Sequence, residues 1–244
     1  MESKKVLITG GTKGIGWAVA QLLLARGYSV IATYEKDEQR ANELESAYSH
    51  AGQVGILKCI KADISAPECA CTLMQEMDRL DFVPDILIFN AGLTYRGSIF
   101  HTPREDWYRV FEANVHFPFK LIQLLAPHMS QGSMILFTGS LMAIHPHSTS
   151  LSYGVTKSAV HSMVQNLVKE LEPLCIRVAG IAPGFVDTEW QKEKPSEIRH
   201  NIESKVALHR FVTPEEVAQA YLGIIDNEYF NGDILTLSGG YSYR

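Results

Sequence analysis

The sequence has no surplus of basic charge: 22 Lys and Arg stand against 27 Asp and Glu over 244 residues, a formal net charge of -5. Without a positive excess there is no general pull on phosphate backbones or anionic lipid, so nucleic acid is not an expected partner. Cysteine is scarce. The four, at 59, 69, 71 and 175, form no C-x2-C pair. A chain of this length has little need of disulfide staples, so they read as reduced thiols in a cytoplasmic protein. Long apolar runs are also missing. Near the N-terminus only Val6, Leu7 and Ile8 form one, short of the roughly 7–15 residues of a signal-peptide core. Residues 121–156 carry no Asp, Glu, Lys or Arg, yet Gln123, His128, Ser130, Gln131, Ser133, Thr138, Ser140 and His145 interrupt them. That excludes a membrane span of about 20 apolar residues and points to protein interior. There is no internal repeat, low-complexity tract or linker rich in Pro, Gly or Ser, so residues 1–244 read as a single domain.

What is present is alternation. Short β-rich runs recur at 5–9, 28–34, 54–60, 85–90, 133–139, 176–182 and 233–239. Between them, Ile15–Arg26, Lys36–His50, Pro67–Leu80, Glu105–Met129, Ser150–Leu171 and Pro214–Asn227 place apolar residues at three- and four-residue spacings, the mark of amphipathic helices. Strands apolar on both sides, separated by helices, predict an α/β fold: a doubly wound, seven-stranded parallel sheet with helices on both faces. Ligands in such folds bind at the carboxyl ends of the strands. The polar segment 186–212 departs just past one of those ends and is read as a lid over a ligand.

Thr9-Gly10-Gly11-Thr12-Lys13-Gly14-Ile15-Gly16 follows the first strand and opens the first helix. Its backbone N–H groups and the positive end of the helix face one crevice, which makes an anion site. Glycines are needed there for a tight turn and for close approach of a pyrophosphate. The spacing G-x3-G-x-G is a weak signal taken alone; its place at the first strand–helix junction strengthens it. The second strand ends at Tyr34, where an acid would accept hydrogen bonds from a ribose 2′-hydroxyl and repel a 2′-phosphate. Lys13 and Lys36 offer charge to a phosphate and favour NADP over NAD, while Glu35 argues the other way.

Tyr153 and Lys157 stand four apart at the start of a helical pattern, on one face, and Ser140 lies just past the carboxyl end of the fifth strand. A phenol with a pKa of about 10 is a poor base at neutral pH, and lowering it by roughly three units takes about 4 kcal/mol. One positive charge about 4 Å away supplies roughly that much at an effective dielectric near 20. Lys157 is the available cation, and the Ser140 hydroxyl can hold a substrate oxygen beside Tyr153.

Together these residues resemble the short-chain dehydrogenase/reductases over essentially the whole length. The resemblance rests on TGGTKGIG at 9–16, Asp63-Ile64, Asn90-Ala91-Gly92, Asn114, Ser140, Tyr153 with Lys157, Pro183-Gly184 and Thr188. The 3-oxoacyl-[acyl-carrier-protein] reductase-like branch is the most similar, through residues 207–220 and GDILTLSGGY near the C-terminus. The resemblance implies a Rossmann-type fold and hydride transfer between NADP(H), ahead of NAD(H), and a carbonyl or secondary alcohol, 3-oxoacyl thioesters included. It implies that Tyr153 moves the proton, that Lys157 bonds the nicotinamide ribose and lowers the tyrosine pKa, that Ser140 orients the carbonyl, and that Asn114 holds a water linking Lys157 to solvent. Gly10, Thr12, Lys13, Gly14, Ile15, Gly16 and Tyr34 would take the adenosine diphosphate end. Asp63 and Ile64 would meet adenine, Asn90, Ala91 and Gly92 would pack on the cofactor, and Pro183, Gly184, Val186 and Thr188 would hold the nicotinamide end. A homotetramer built through 105–129 and 150–172 is the corresponding assembly.

Carrier-protein reductases usually place basic residues where Gln131 and Leu174 stand here, which argues against docking of an acidic carrier and leaves a small ketone, sugar or steroid-like alcohol open. No metal site is expected, since His145 and His147, two apart on a loop, lack further ligands. Cys69 and Cys71 are spaced to point apart on a helix and read as packing. Tyr95 and Trp190 are candidates to cover an apolar substrate. The competing class, a dinucleotide-sensing module without catalysis, has no chemical need for the Tyr153–Lys157 pair. An S-adenosylmethionine methyltransferase would leave that pair without roles and lacks an acid at Tyr34.

Overall fold

The computed structural model describes residues 3–49, 55–146, 150–192 and 194–241. His147 of the loop that precedes Tyr153, His50 and Val54 at the ends of predicted elements, and residue 193 of the polar segment lie outside the described residues. Seven strands, β1 (Lys5–Ile8), β2 (Ser29–Tyr34), β3 (Ile56–Lys61), β4 (Ile86–Phe89), β5 (Met134–Thr138), β6 (Arg177–Pro183) and β7 (Ile234–Leu237), form one sheet in the order β3-β2-β1-β4-β5-β6-β7. Every neighbouring pair is parallel. Burial on both faces explains the apolar runs. Leu7, Ile31, Leu87, Ile135 and Val178 turn to one core, while Val6, Ile8, Val30, Ile88, Leu136 and Ala179 turn to the other.

Helices α1 (Gly14–Ala25), α2 (Glu38–Tyr48), α3 (Cys69–Arg79), α4 (Arg104–Phe111), α5 (Phe117–Leu125), α6 (Leu151–Leu171), α7 (Glu189–Lys192), α8 (Ser196–Lys205) and α9 (Pro214–Asp226) complete the described fold. Apolar stripes of α3, α5 and α6 fill one core, and those of α1 and α9 the other. The expected single helix over 105–129 is instead α4 and α5 joined by a π-helical turn, Glu112–His116, and closed by a 3-10 turn, Ala126–His128. Widening the turn at this point places Asn114 inward at 3% exposure; π-turns of this kind occur frequently at functional sites.

Strand order reverses between β1 and β4. The crevice at their carboxyl ends is the switch point of the sheet, where a doubly wound fold binds its ligand.

Candidate active site

The glycine turn leaves β1 at this point. Gly10 and Gly14 have φ of +62° and +54°, the left-handed region that a side chain disfavours. A Cβ on Gly16 would fall 2.6 Å from Asn90 Nδ2, so the turn lies directly against the segment that follows β4. Thr9 Oγ1 accepts the backbone N–H groups of Asn90 (3.0 Å) and Ala91 (3.1 Å), and Asn90 Nδ2 donates to the carbonyls of Thr9 (3.1 Å) and Gly10 (3.2 Å). Thr12 is buried and Ile15 packs on the core beneath α1. Lys13, in extended conformation before α1, makes no side-chain cap, and the first turn carries no acid. The free N–H groups and dipole of this helix end therefore have no side-chain anion of their own.

At the other side of the turn, Tyr34 closes β2, its phenol pushed up chiefly by burial. Arg40 Nε, from α2, donates to the Thr12 carbonyl at 2.7 Å. Sequence reading did not single out Arg40, because a helical charge pattern does not say which residue reaches across to a neighbouring loop. Lys36 and Glu35, read as opposing arguments, lie 3.1 Å apart as an ion pair, with Lys36 81% exposed. Asp63 Oδ1 accepts from the Ser65 backbone N–H (2.9 Å) and hydroxyl (2.6 Å), and the Ser65 hydroxyl bond is the main cause holding its carboxyl below the ordinary range. Ile64 beside it is buried.

Across the crevice α6 presents Tyr153 and Lys157. Its start is fixed by Ser150, whose hydroxyl donates to the Tyr95 carbonyl (2.7 Å) and meets Thr94 Oγ1 (2.6 Å). Lys157 Nζ is 5.6 Å from the centre of the Tyr153 ring and donates to the Thr138 carbonyl at 2.6 Å. Burial pushes the ammonium down to about 8, while donation to that carbonyl favours the charged form. Tyr153 is raised by burial, opposed by a hydrogen bond with the Ser140 hydroxyl. The Lys157 ammonium thus bonds the Thr138 carbonyl while standing beside the Tyr153 ring, and burial of the phenol favours its neutral form. Asn114 is buried between the segment after β4 and α6. Its Oδ1 accepts the Leu93 N–H (2.8 Å), and Nδ2 donates to the Leu93 carbonyl (2.9 Å) and Thr156 Oγ1 (2.9 Å). A Cβ on Gly92 would stand 3.2 Å from Asn114 Oδ1 and 3.5 Å from Lys157 Nζ, so the glycine leaves the approach to both open.

Pro183 ends β6, and the Gly184 N–H donates to Leu237 at 2.9 Å. Val186 is 7% exposed within the core and pairs through its backbone with Val212, which brings the two ends of the 186–212 segment together. The Val186 side chain thus anchors the base of that segment. Thr188 Cγ2 would be 3.3 Å from a Cβ on Gly14, placing the segment over the glycine turn. Trp190 meets the Tyr153 ring edge-on, 6.2 Å between centroids. Arg199 braces the segment by pairing with Asp187 (3.1 Å) and lying over Phe211 (4.4 Å). Among the described residues no group of three His, Cys, Asp or Glu could hold a metal, and no helix is long and apolar enough to cross a membrane.

Residues 10–242 match the family model described as Enoyl-(Acyl carrier protein) reductase. A 3-oxoacyl-[acyl-carrier-protein] reductase of Thermotoga maritima is 30% identical over 246 residues, covering 98% of each chain. A 3alpha-hydroxysteroid dehydrogenase of Mediterraneibacter gnavus is 27% identical over 246 residues, 98% of this chain and 97% of that protein. Among solved structures, a short chain dehydrogenase from Burkholderia cenocepacia J2315 in complex with NADP superposes with a TM-score of 0.89 at 28% identity, over 98% of each chain.

Proposed function

Because the chain belongs to the short-chain dehydrogenase/reductase family, and is thereby an NAD(P)-dependent oxidoreductase of CH–OH and carbonyl groups, we propose that it reduces a small carbonyl compound with NADPH, Tyr153 donating the proton. The observation that carries the reading is the convergence of Ser140 and Lys157 on Tyr153 beside Gly92. No other described feature of the crevice needs all four.

The glycine cradle fits a dinucleotide. A Cβ at Gly11 would stand 2.7 Å from the Ala32 Cβ, and the uncapped start of α1 offers amides to a pyrophosphate. Gly10 to Gly16 would take that pyrophosphate, Tyr34, Asp63 and Ile64 the adenosine, Asn90 to Gly92 the middle, and Pro183, Gly184 and Thr188 the nicotinamide end. Lys13 and Arg40 supply positive charge beside the turn, which supports a 2′-phosphate and hence NADP. The NADP bound by the Burkholderia cenocepacia relative points the same way. When bound, the nicotinamide supplies the hydride.

The residues of the chain supply proton transfer and orientation. Burial keeps the Tyr153 phenol protonated at neutral pH, the state required of a proton donor to a carbonyl oxygen. Ser140 holds that oxygen through its hydroxyl. Lys157, still mostly charged at pH 7, lowers the cost of the phenolate left behind, and Thr138 fixes where its ammonium sits. Asn114 ties the turn after β4 to α6 and thereby sets the position of the helix that carries Tyr153. The 186–212 segment closes over the mouth, with Trp190 as the apolar wall beside the tyrosine. A homotetramer remains the proposed assembly.

Candidate substrates are free ketones, steroid-like ketones and 3-oxoacyl thioesters; the last two are suggested by the names of the two relatives. Docking of an acyl carrier protein is not part of the proposal, since Gln131 and Leu174 carry no charge to steer it. The test is a panel of such carbonyl compounds and the matching alcohols with NADPH and NADH, followed by absorbance of the reduced nicotinamide. Turnover of one class with NADPH preferred supports the reading. Cofactor binding without turnover of any class refutes it in favour of a sensor.

A further inference from the structure

We propose that His161 is a positioning residue for proton transfer: as a neutral imidazole it accepts the Ser140 backbone N–H and thereby fixes the hydroxyl that faces Tyr153. The inference rests on the assignment of Ser140 and Tyr153 to the reacting site made above.

Tyr153, Lys157 and His161 follow one another at four-residue steps along α6, so the imidazole lies on the same stripe as the reacting pair. Its Nε2 lies 3.3 Å from the Ser140 nitrogen and accepts that N–H. Ser140 is extended there, φ -165° and ψ 147°, and its hydroxyl also accepts the Met142 N–H at 3.1 Å. The three residues 138–140 are therefore held one after another. Lys157 takes the Thr138 carbonyl, the Gly139 N–H donates to Ile181 at 2.7 Å, and His161 takes the Ser140 N–H. Gly139 makes the contact sterically feasible, because a Cβ there would stand 2.6 Å from His161 Cδ2, inside the ring's contact distance.

An acceptor at Nε2 requires the tautomer protonated at Nδ1. Burial disfavours the imidazolium, and Lys157, one turn away on the same stripe, repels it; the ring is pushed down to about 4 and stays an acceptor through the neutral range. Protonation would put a second N–H against that of Ser140.

Three variants test this, His161→Leu, His161→Gln and His161→Asn, each measured for kcat, carbonyl KM and NADPH affinity. Glutamine places an amide oxygen near the position of Nε2, and asparagine falls one methylene short. The expected result is a roughly tenfold loss of kcat in His161→Leu, the size of one neutral hydrogen bond, with KM and NADPH affinity within about twofold. His161→Gln recovers most of kcat and His161→Asn does not. Wild-type kcat in His161→Leu, or equal impairment of the Gln and Asn variants, overturns the proposal. If His161→Leu does not fold, the Gln and Asn pair decides. Nitrogen NMR of the unmutated protein at neutral pH gives a readout independent of turnover: a bare Nε2 supports the role, and an Nε2–H tautomer overturns it. If the unmutated protein turns over no carbonyl on the panel, the proposed function fails instead, and the tautomer still reports on the contact.

Discussion

Acid should weaken this fold through His161 by an amount that can be isolated. The ring has an ordinary value of 6.5 and is pushed down to about 4 in the folded chain, chiefly by burial and secondarily by Lys157. Below pH 6.5 the unfolded chain takes up a proton that the folded ring refuses, so stability falls as pH falls, and the loss levels off below about 4. Integrating that difference from pH 8 to pH 5 gives about 2 kcal/mol, reduced to about 1–2 kcal/mol because the ring is not wholly buried. Urea unfolding of the wild type and of His161→Gln at both pH values measures it as a double difference. Asp63 and Glu216, both held below the ordinary carboxylate range, lose their contributions in acid in both proteins and cancel. The wild type should lose about 1–2 kcal/mol more than the variant between pH 8 and pH 5. Equal losses would refute a buried neutral imidazole.

Other substitutions probe separate links. Arg40→Gln removes the charge that reaches the Thr12 carbonyl and should weaken NADPH binding about tenfold while leaving NADH binding nearly unchanged, measured by titration of the free protein. Asn114→Ala strips three hydrogen bonds from a buried junction; at about 1 kcal/mol or more each, Tm should fall by roughly 5–15 °C in a thermal scan. Tyr221→Phe takes away the hydroxyl that meets Thr138 Oγ1 at 2.6 Å behind Lys157, and should cost about 1 kcal/mol in urea unfolding.

The periodicity of the sequence carried the seven strands to within a residue or two because the central ones are apolar on both sides and bounded by polar turns, as in DILIFN and SMILFTG, while the edge strand β3 keeps an alternating pattern. The glycine turn and Ser140, Tyr153 and Lys157 were legible for a different reason: their spacing on one turn, one strand end and one helix already brings them to the carboxyl edge of the sheet. Residues 105–129 were read as helical and are so from Arg104 to His128, but a helical period does not reveal the one widened turn in which Asn114 is buried. Arg40, His161 and Tyr221 escaped because each acts across the fold, on Thr12, Ser140 and Thr138 respectively. Helix patterns give the face of such residues and not the loop they touch. The bond from Lys157 to the Thr138 carbonyl was not foreseen for a related reason: a backbone acceptor leaves no trace in side-chain spacing.

The most direct measurement is single-turnover reduction by Tyr153→Phe, which keeps the ring against Trp190 and deletes only the hydroxyl. Loss of one positioned proton donor should slow the reaction by about 10²–10⁴-fold with NADPH affinity unchanged. A phenylalanine enzyme that reduces the same carbonyl at the unmutated rate would show that the proton comes from elsewhere and would contradict the assigned chemistry.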